Sequence, residues 1–417
     1  MRPIADVADS LGVPADRRQI YGDFAAKLDP TLLGQPRTRS GEPRLVLVSA
    51  ITPTRAGEGK TTTTIGLGDA LAKLGHSVCV ALREPSLGPC MGIKGGGTGG
   101  GKAQLWPSDR INLHFTGDFH AITAAHNLLA AVIDNHLHFN SDLDICPRRV
   151  LWPRVLDVND RALRDTIIGL GGRGNSMPRE GGFDITAASE LMAILCLAEN
   201  ADDLRERIDR ILVAYTRDGK PVHARDLKVT GAMLALLREA MWPNLAQTLE
   251  GTPALVHGGP FANIAHGCSS VVATKLGLHL GDWVITEAGF GFDLGAEKFY
   301  DIKCRSAGLT TASVVLVATC RALKMHGGVD YADLDQPNAR AVEHGLANLE
   351  KHIDSIHMFT ELPVVALNRF GADTDEEIAV VRRFCEGITV PFAVAEHFDR
   401  GGEGALDLAR AVIDRNA

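Results

Sequence analysis

The sequence predicts an α/β fold: a mainly parallel sheet with helices on both faces, plus an inserted second α/β region. Three observations predict it. Short, apolar, β-branched runs recur at strand length, as at 44–51 (RLVLVSAI) and 77–82 (SVCVAL), and such runs mark strands buried on both faces. These runs alternate with helical stretches, the βα pattern of parallel sheets. Glycine is abundant, 44 of 417 residues, or roughly 11% against a usual 7%. It has no fibre-like period, so it points to loops where backbone approaches a ligand.

In chain order, residues 1–43 are polar and turn-rich, with Pro3, Pro14, Pro30, Pro36 and Pro43. They read as a helical arm leading into the 44–51 strand. A Gly/Thr loop follows, then a helix with apolar spacing over 65–74, then the 77–82 strand. Residues 92–101 (GIKGGGTGGG) are seven-tenths glycine. That is a linker's composition, but its place between ordered-looking units, with Lys94 inside and Lys102 beyond, argues for a functional loop. Helices are expected at 118–135, 185–198 and 201–211, the last charged and amphipathic. Strands are expected at 253–257, 282–286, 313–319, 363–367 and 391–395, each followed by Gly, Asn or Asp. Thr374 and Glu377 form a capping box opening a helix with Ile378, Val381 and Cys385 as its apolar stripe. The last helix spans about 404–415.

Composition excludes several classes. At about 150 residues per domain the length suggests two to three domains. Lys+Arg number 43 and Asp+Glu 51, a net charge of −8, with no basic stretch to serve nucleic acid. With 45% hydrophobic and 23% charged residues, disorder is not the main state. No apolar run approaches the roughly 18 residues a membrane helix needs, and the first residues lack an apolar signal core. The eight cysteines are scattered without a CxxC pair. They read as reduced thiols of a cytoplasmic protein, without a disulfide frame or zinc site. His136 and His138 lack a third ligand nearby, so no transition metal is assigned.

The strongest local signal is TRAGEGKTTTT at 54–64, between a buried strand and a helix. Glycines let backbone N–H groups face phosphate oxygens, and the helix N-terminus adds partial positive charge. Lys60 can neutralise β/γ-phosphate charge, and the Thr61 hydroxyl can reach Mg²⁺. Thr54 stands where the usual GxxxxGK[ST] pattern has its first glycine. The candidate nucleotide residues are Thr54, Arg55, Ala56, Gly57, Glu58, Gly59, Lys60 and Thr61. This context predicts a P-loop NTPase-like sheet. It does not say which chemistry uses the nucleotide. Arg83 ends the second strand, where α/β sheets place ligands. It can grip a carboxylate or acyl phosphate with two hydrogen bonds or pair with neighbouring Glu84; the residues alone leave both open. Cys304, between Lys303 and Arg305, reads as a buried structural thiol or, less simply, as an activated one.

The loop at 54–64, ALREPSLGP at 81–89, the glycine run, NLHFTGDFHAIT at 112–123 and VLDVNDRALR at 155–164 together resemble the formate–tetrahydrofolate ligase family. HGGPFANIAHG at 257–267, TEAGFG at 286–291, VATCRALKMHGG at 317–328 and GGEG at 401–404 continue the likeness over essentially the whole chain. The resemblance implies an ATP-dependent enzyme that joins formate to tetrahydrofolate through formyl phosphate, releasing ADP and phosphate. It implies Mg²⁺ with ATP, a monovalent cation (K⁺ or NH4⁺), a cytoplasmic homotetramer of one-carbon metabolism, and neither a nucleic-acid nor a membrane partner. It makes Arg83 a formyl-phosphate ligand, and Gly289, Phe290 and Gly291 a loop lining that intermediate; beside Lys60, Lys94 in the glycine run can supply a second positive charge to the transferring phosphoryl group. Phe370 and Phe398 correspond to the aromatics that sandwich the pterin. The expected domains are 1–135 with about 251–417, and an inserted helix-rich region at about 136–250.

The chain departs from the family in places. Arg55 replaces a proline, Gly97-Thr98 an Ala-Ala pair, Lys102 a tyrosine, Cys320 an aliphatic residue and Phe398 a tryptophan. Family chains continue past the position matching Ala417 into a further C-terminal domain, which puts folate binding and turnover in question. Three alternatives follow: a shortened remnant that binds nucleotide with weak or no turnover, another carboxylate-activating ligase of the dethiobiotin-synthetase type, and an ATP-dependent switch or partitioning protein.

Overall fold

The computed structural model describes residues 1–37, 39–92, 96–359 and 361–416. Its main sheet contains β1 (Arg18–Tyr21), β2 (Ala25–Leu28), β3 (Arg44–Ala50), β4 (Val78–Leu82), β5 (Ala103–Trp106), β6 (Asn244–Thr248), β7 (Pro253–Val256), β8 (Trp283–Glu287), β9 (Ser313–Ala318), β10 (Pro363–Asn368) and β11 (Phe392–Ala395). The order across it is β1-β2-β6-β7-β4-β8-β3-β9-β10-β11, with β5 paired to β6 off this path. From β7 to β11 every neighbouring pair is parallel. The expected α/β class with a mainly parallel sheet is therefore borne out.

β3 shows why these runs become strands. Its side chains alternate between faces. Leu45 and Leu47 enter one core, with the helices Val271–Leu280 and Ala339–Met358. Val46, Val48 and Ala50 enter the opposite core, with the helices Lys60–Lys73 and Leu406–Arg415. Both faces are apolar because both are covered, so the run is continuous rather than alternating.

Several elements differ from the sequence reading. The described part of the N-terminal arm holds a short α-helix, Ile4–Ser10, the β1–β2 hairpin and 3-10 turns at Ala15–Arg17 and Pro30–Gly34. β2 pairs antiparallel with β6, which extends the sheet on that side. The helix expected from 185 starts at Glu190, because the Ser189 side chain accepts from Met192 N and caps it. The phosphate-loop helix starts earlier than expected, at Lys60. The Thr374–Glu377 capping box forms as read. Buried residues from Phe119 to Met241 make a separate apolar cluster, around a small antiparallel sheet of Ile145–Val150, Leu212–Thr216 and Pro221–His223. The described part of the glycine run is ordered. Gly97 N donates to Asn112 Oδ1 at 2.9 Å, Asn112 Nδ2 donates to Thr98 Oγ1 at 3.0 Å, and Gly99 and Gly100 pair with Gln104 and Ala103.

One buried acid on the phosphate-loop helix sets a pH dependence. Asp69 accepts from Thr248 Oγ1 at 2.6 Å through Oδ1, while Oδ2 has no partner. Burial pushes its carboxyl up to about 6 from 3.8, against the hydrogen bonds from Thr248 and Thr252. The folded chain holds this proton more tightly than the unfolded one. Its stabilising share is complete below pH 3.8 and is lost as pH rises towards 6. Asp69→Asn is expected to remove that part of the decline, read from urea midpoints at acid and neutral pH relative to the parent.

Candidate active site

The parallel strands deliver their carboxyl ends to one edge, where α/β sheets bind ligands. β3 leads into the phosphate loop, β4 into Arg83, β7 into His257, β8 into Gly289–Gly291, β9 into Thr319, β10 into Phe370 and β11 into Phe398.

The phosphate loop is built on two left-handed glycines, Gly57 at φ 79° and Gly59 at φ 78°, a conformation that costs other residues strain. Gly59 is the N-cap of Lys60–Lys73. Gly57 N donates to Thr54 O at 3.1 Å. Thr54 and Glu58 are buried, Arg55 and Ala56 exposed. The Arg55 guanidinium lies 5.9 Å from the Tyr331 ring centroid. Thr61 Oγ1 donates to Glu287 at 3.0 and 2.8 Å from its two carboxylate oxygens. A hydroxyl and a carboxylate thus meet at the mouth of the loop, an oxygen donor pair suited to Mg²⁺. Sequence reasoning quoted Glu287 within TEAGFG but gave it no role. Its signal was its place at the end of a buried strand, legible only once β8 is known to lie beside β3.

Arg83 donates from Nη1 to Pro260 O at 3.3 Å, and no ion pair with Glu84 forms among the described residues. A Cβ on Gly289 would lie 3.4 Å from that same Nη1, so Arg83 and the 289–291 loop are neighbours. Gly289 N donates to Gly267 O at 3.0 Å. Phe290 takes a positive φ of 60° and Gly291 abuts Asp293 and the end of β3. Glu84 is buried, and its Oε2 has no partner. Burial, then the Asp118 charge, pushes its carboxyl well above the usual range. Asp118 is held by Lys27 Nζ at 2.7 Å and Asn244 Nδ2 at 2.7 Å, all three buried. This polar cluster also escaped sequence reasoning, because its members are distant in sequence. Behind the same loops lies His266, buried, with an unpartnered Nε2. Burial and then Lys303 lower it to about 3, so it is neutral.

Phe370 and Phe398 follow the paired strands β10 and β11, whose last residues Asn368 and Ala395 are in register. Phe370 is 37% exposed and Phe398 54%, so neither is a core residue. The Arg321 guanidinium lies 4.9 Å from the Phe370 centroid and covers one of its faces. Phe398 packs on Gly100 and Gly101 and accepts from Lys102 N at 2.8 Å through its carbonyl. Lys94 lies outside the described residues. Cys304 is not activated, since burial pushes its thiol up to about 12. Cys320, Asp373 and Glu377 form a compact group, but Glu377 is already engaged by Lys324, Asn338 and Thr374.

A left-handed glycine loop between a buried parallel strand and its helix, at the carboxyl edge of a doubly covered sheet, defines an α/β protein of the phosphate-loop class. The chain belongs to the formate–tetrahydrofolate ligase family, whose model matches residues 1–417. It is 57% identical to the formate–tetrahydrofolate ligase of Zymomonas mobilis over 419 aligned positions, covering 99% of this chain and 75% of that protein. It is also 57% identical to the formate–tetrahydrofolate ligase of Methylobacterium radiotolerans, covering 99% of this chain and 74% of that protein.

The loop geometry makes one substitution diagnostic. A Cβ at Gly59 would lie 2.4 Å from Asn368 Nδ2, on a residue at φ 78°. Gly59→Ala is expected to destabilise the fold by about 1–3 kcal/mol and to weaken nucleotide binding, as checked by denaturant titration and ADP calorimetry.

Proposed function

We propose that this chain ligates formate to tetrahydrofolate at the expense of ATP, giving 10-formyltetrahydrofolate, ADP and phosphate through formyl phosphate. The observation that carries the reading is the family match along the whole chain. The convergence of the phosphate loop, Arg83 and the 289–291 loop on one sheet edge supports it. The chemistry explains the residue types. Formate is a poor electrophile. A formate oxygen attacks the γ-phosphorus and displaces ADP, leaving a mixed anhydride. The folate N10 then attacks the formyl carbon, expels phosphate and loses its proton.

In this reading residues 54–61 cradle the ATP phosphates, and Lys60 neutralises charge on the transferring group. Arg83 grips the formate oxygens and then the acyl phosphate with parallel hydrogen bonds. Lys94 adds a second positive charge. Gly289, Phe290 and Gly291 line the intermediate with closely approaching backbone. Phe370 and Phe398 stack on the pterin; Phe398 offers less area than a tryptophan and no N–H donor. Thr61 and Glu287 would hold Mg²⁺, which when bound offsets phosphate charge.

Further parts of the proposal rest on the family likeness. They are dependence on K⁺ or NH4⁺, a homotetramer and a cytoplasmic location. Eight free cysteines support a reducing compartment. No helix among the described residues is long and apolar enough to cross a membrane. The separate 119–241 core supports a two-domain division close to 136–250 for the insert.

The test is product formation. ADP and 10-formyltetrahydrofolate should appear only when formate, tetrahydrofolate and ATP are present together. Better ATP turnover with another carboxylate would select a different ligase. Nucleotide binding without product would select the inactive remnant. Arg83→Ala is expected to lower kcat for formyl transfer by about 10²–10³ while ADP affinity is retained. Equal loss of ADP affinity would make Arg83 a nucleotide ligand instead.

A further inference from the structure

β3 does not run straight into the phosphate loop. Ile51 N still donates to Val317 O at 3.1 Å, and there the pairing with β9 ends. The next residue, Thr52, is only half-buried, yet each of its polar groups is taken by a side chain. Thr52 N donates to Asn348 Oδ1 at 3.3 Å. The Thr52 hydroxyl accepts from Asn348 Nδ2 at 3.0 Å and lies 3.1 Å from His352 Nε2. Its carbonyl accepts from His326 Nε2 at 2.9 Å. The bonds also fix the protons. A backbone N–H only donates, so Asn348 turns its oxygen to Thr52 N and its NH2 to the hydroxyl. The hydroxyl proton then has one acceptor among the described residues, His352 Nε2. His352 is therefore neutral with its proton on Nδ1, in keeping with the lowering that burial imposes on it.

Most of this grip comes from one helix. Asn348 and His352 stand one turn apart, at i and i+4, on the same face of Ala339–Met358. Another face of that helix buries Leu349, Ile353 and Ile356 in the core that holds Phe292 and Ala296, just past Gly291. Beyond the helix end, Phe359 meets Phe292 edge-on at 5.9 Å. The 289–291 loop also rests on the exit of β3. A Cβ on Gly291 would lie 3.4 Å from Ala50 O, 3.3 Å from Ile51 O and 2.6 Å from Asp293 Oδ1. The Asp293 charge acts in turn on the His352 ring. One helix thus holds the entry of the phosphate loop on one face and the end of the 289–291 loop on another.

We propose that Asn348 and His352 are positioning residues: through Thr52 they make the helix Ala339–Met358 a spacer that sets the phosphate loop against the 289–291 loop, and so aligns the γ-phosphate with formate. This rests on the reading of residues 54–61 as the phosphate site and of 289–291 as the lining of the intermediate. Phosphoryl transfer needs the attacking and leaving oxygens in line, and a misplacement of about 1 Å costs on the order of a hundredfold in rate. The spacing between two loops is not encoded in either of them. It needs a third element that touches both. ADP is held by the phosphate loop itself, so its affinity does not report that spacing, whereas kcat does.

The measurement is kcat for 10-formyltetrahydrofolate formation beside ADP affinity and the KM for ATP. Thr52→Val removes the hydroxyl at nearly constant shape, and Thr52→Ser keeps it. Asn348→Ala removes two of the bonds from a half-buried position. Thr52→Val and Asn348→Ala are expected to lower kcat about tenfold or more, with ADP affinity and the KM for ATP within about twofold of the parent. Thr52→Ser should restore kcat. If Thr52→Val does not fold, Asn348→Ala decides. A contact that only supports the fold would lower kcat and ADP affinity together, in step with the urea midpoint, and that result overturns the proposal. A Thr52→Ser variant as slow as Thr52→Val overturns it too. A parent that forms no 10-formyltetrahydrofolate from formate, ATP and tetrahydrofolate brings down the ligase reading, and the spacer with it. An active parent whose kcat survives both Thr52→Val and Asn348→Ala leaves the ligase reading standing and the spacer wrong.

Discussion

The burial of β3 on both faces and along both edges is the constraint on which the site depends. β8 and β9 hydrogen-bond to it on either side, and apolar cores press on it from above and below. A strand so held has one exit that can bend sharply, and that exit is the phosphate loop. The same neighbours carry Glu287 and Thr319 to its flanks. The loop therefore does not need to be rigid by composition. It is held by strands that were already required for folding, and its glycines are free to take the left-handed turns that expose N–H groups.

Charge at this edge is arranged with unusual economy. Glu58 is satisfied by an amide and a hydroxyl, Asp118 by Lys27 and Asn244, and Glu84 is left with an unpartnered oxygen. Fully paired carboxylates rigidify their surroundings, whereas one that is half-satisfied is ready to change its protonation or find a ligand. Buried neutral histidines fit the same pattern. His257 is lowered to about 4 by burial, and it bridges Ser270 and the Ala240 carbonyl at 2.6 and 2.7 Å, acting as a strut rather than as a charge.

Much of this was legible in the residues. The apolar runs named the parallel strands to within a residue or two, because a strand buried on both faces has no other local pattern. The capping box named the start of the helix Asp375–Gly387, because both of its bonds are local. GEGKTTT named the phosphate loop, and the long motifs named the family. The misses have different causes. The β1–β2 hairpin lies in a polar, proline-rich arm with no alternating pattern, and it exists because β6 offers a free edge. The helix Ala339–Met358 went unread although it buries Val342, Leu349, Ile353 and Ile356 on one face.

The sequence by itself determined the fold class, the phosphate loop and the family. Each rests on short stretches whose chemistry is complete within about a dozen residues. Only the tertiary structure decided how the loops meet. Thr61 and Glu287 are 226 positions apart, Glu58 and Thr319 are 261 apart, and Glu58 and Asn368 are 310 apart. Those contacts follow from the order of strands across the sheet. Strand order is set by the packing of two apolar faces and by crossover connections, and no local pattern in the chain encodes it.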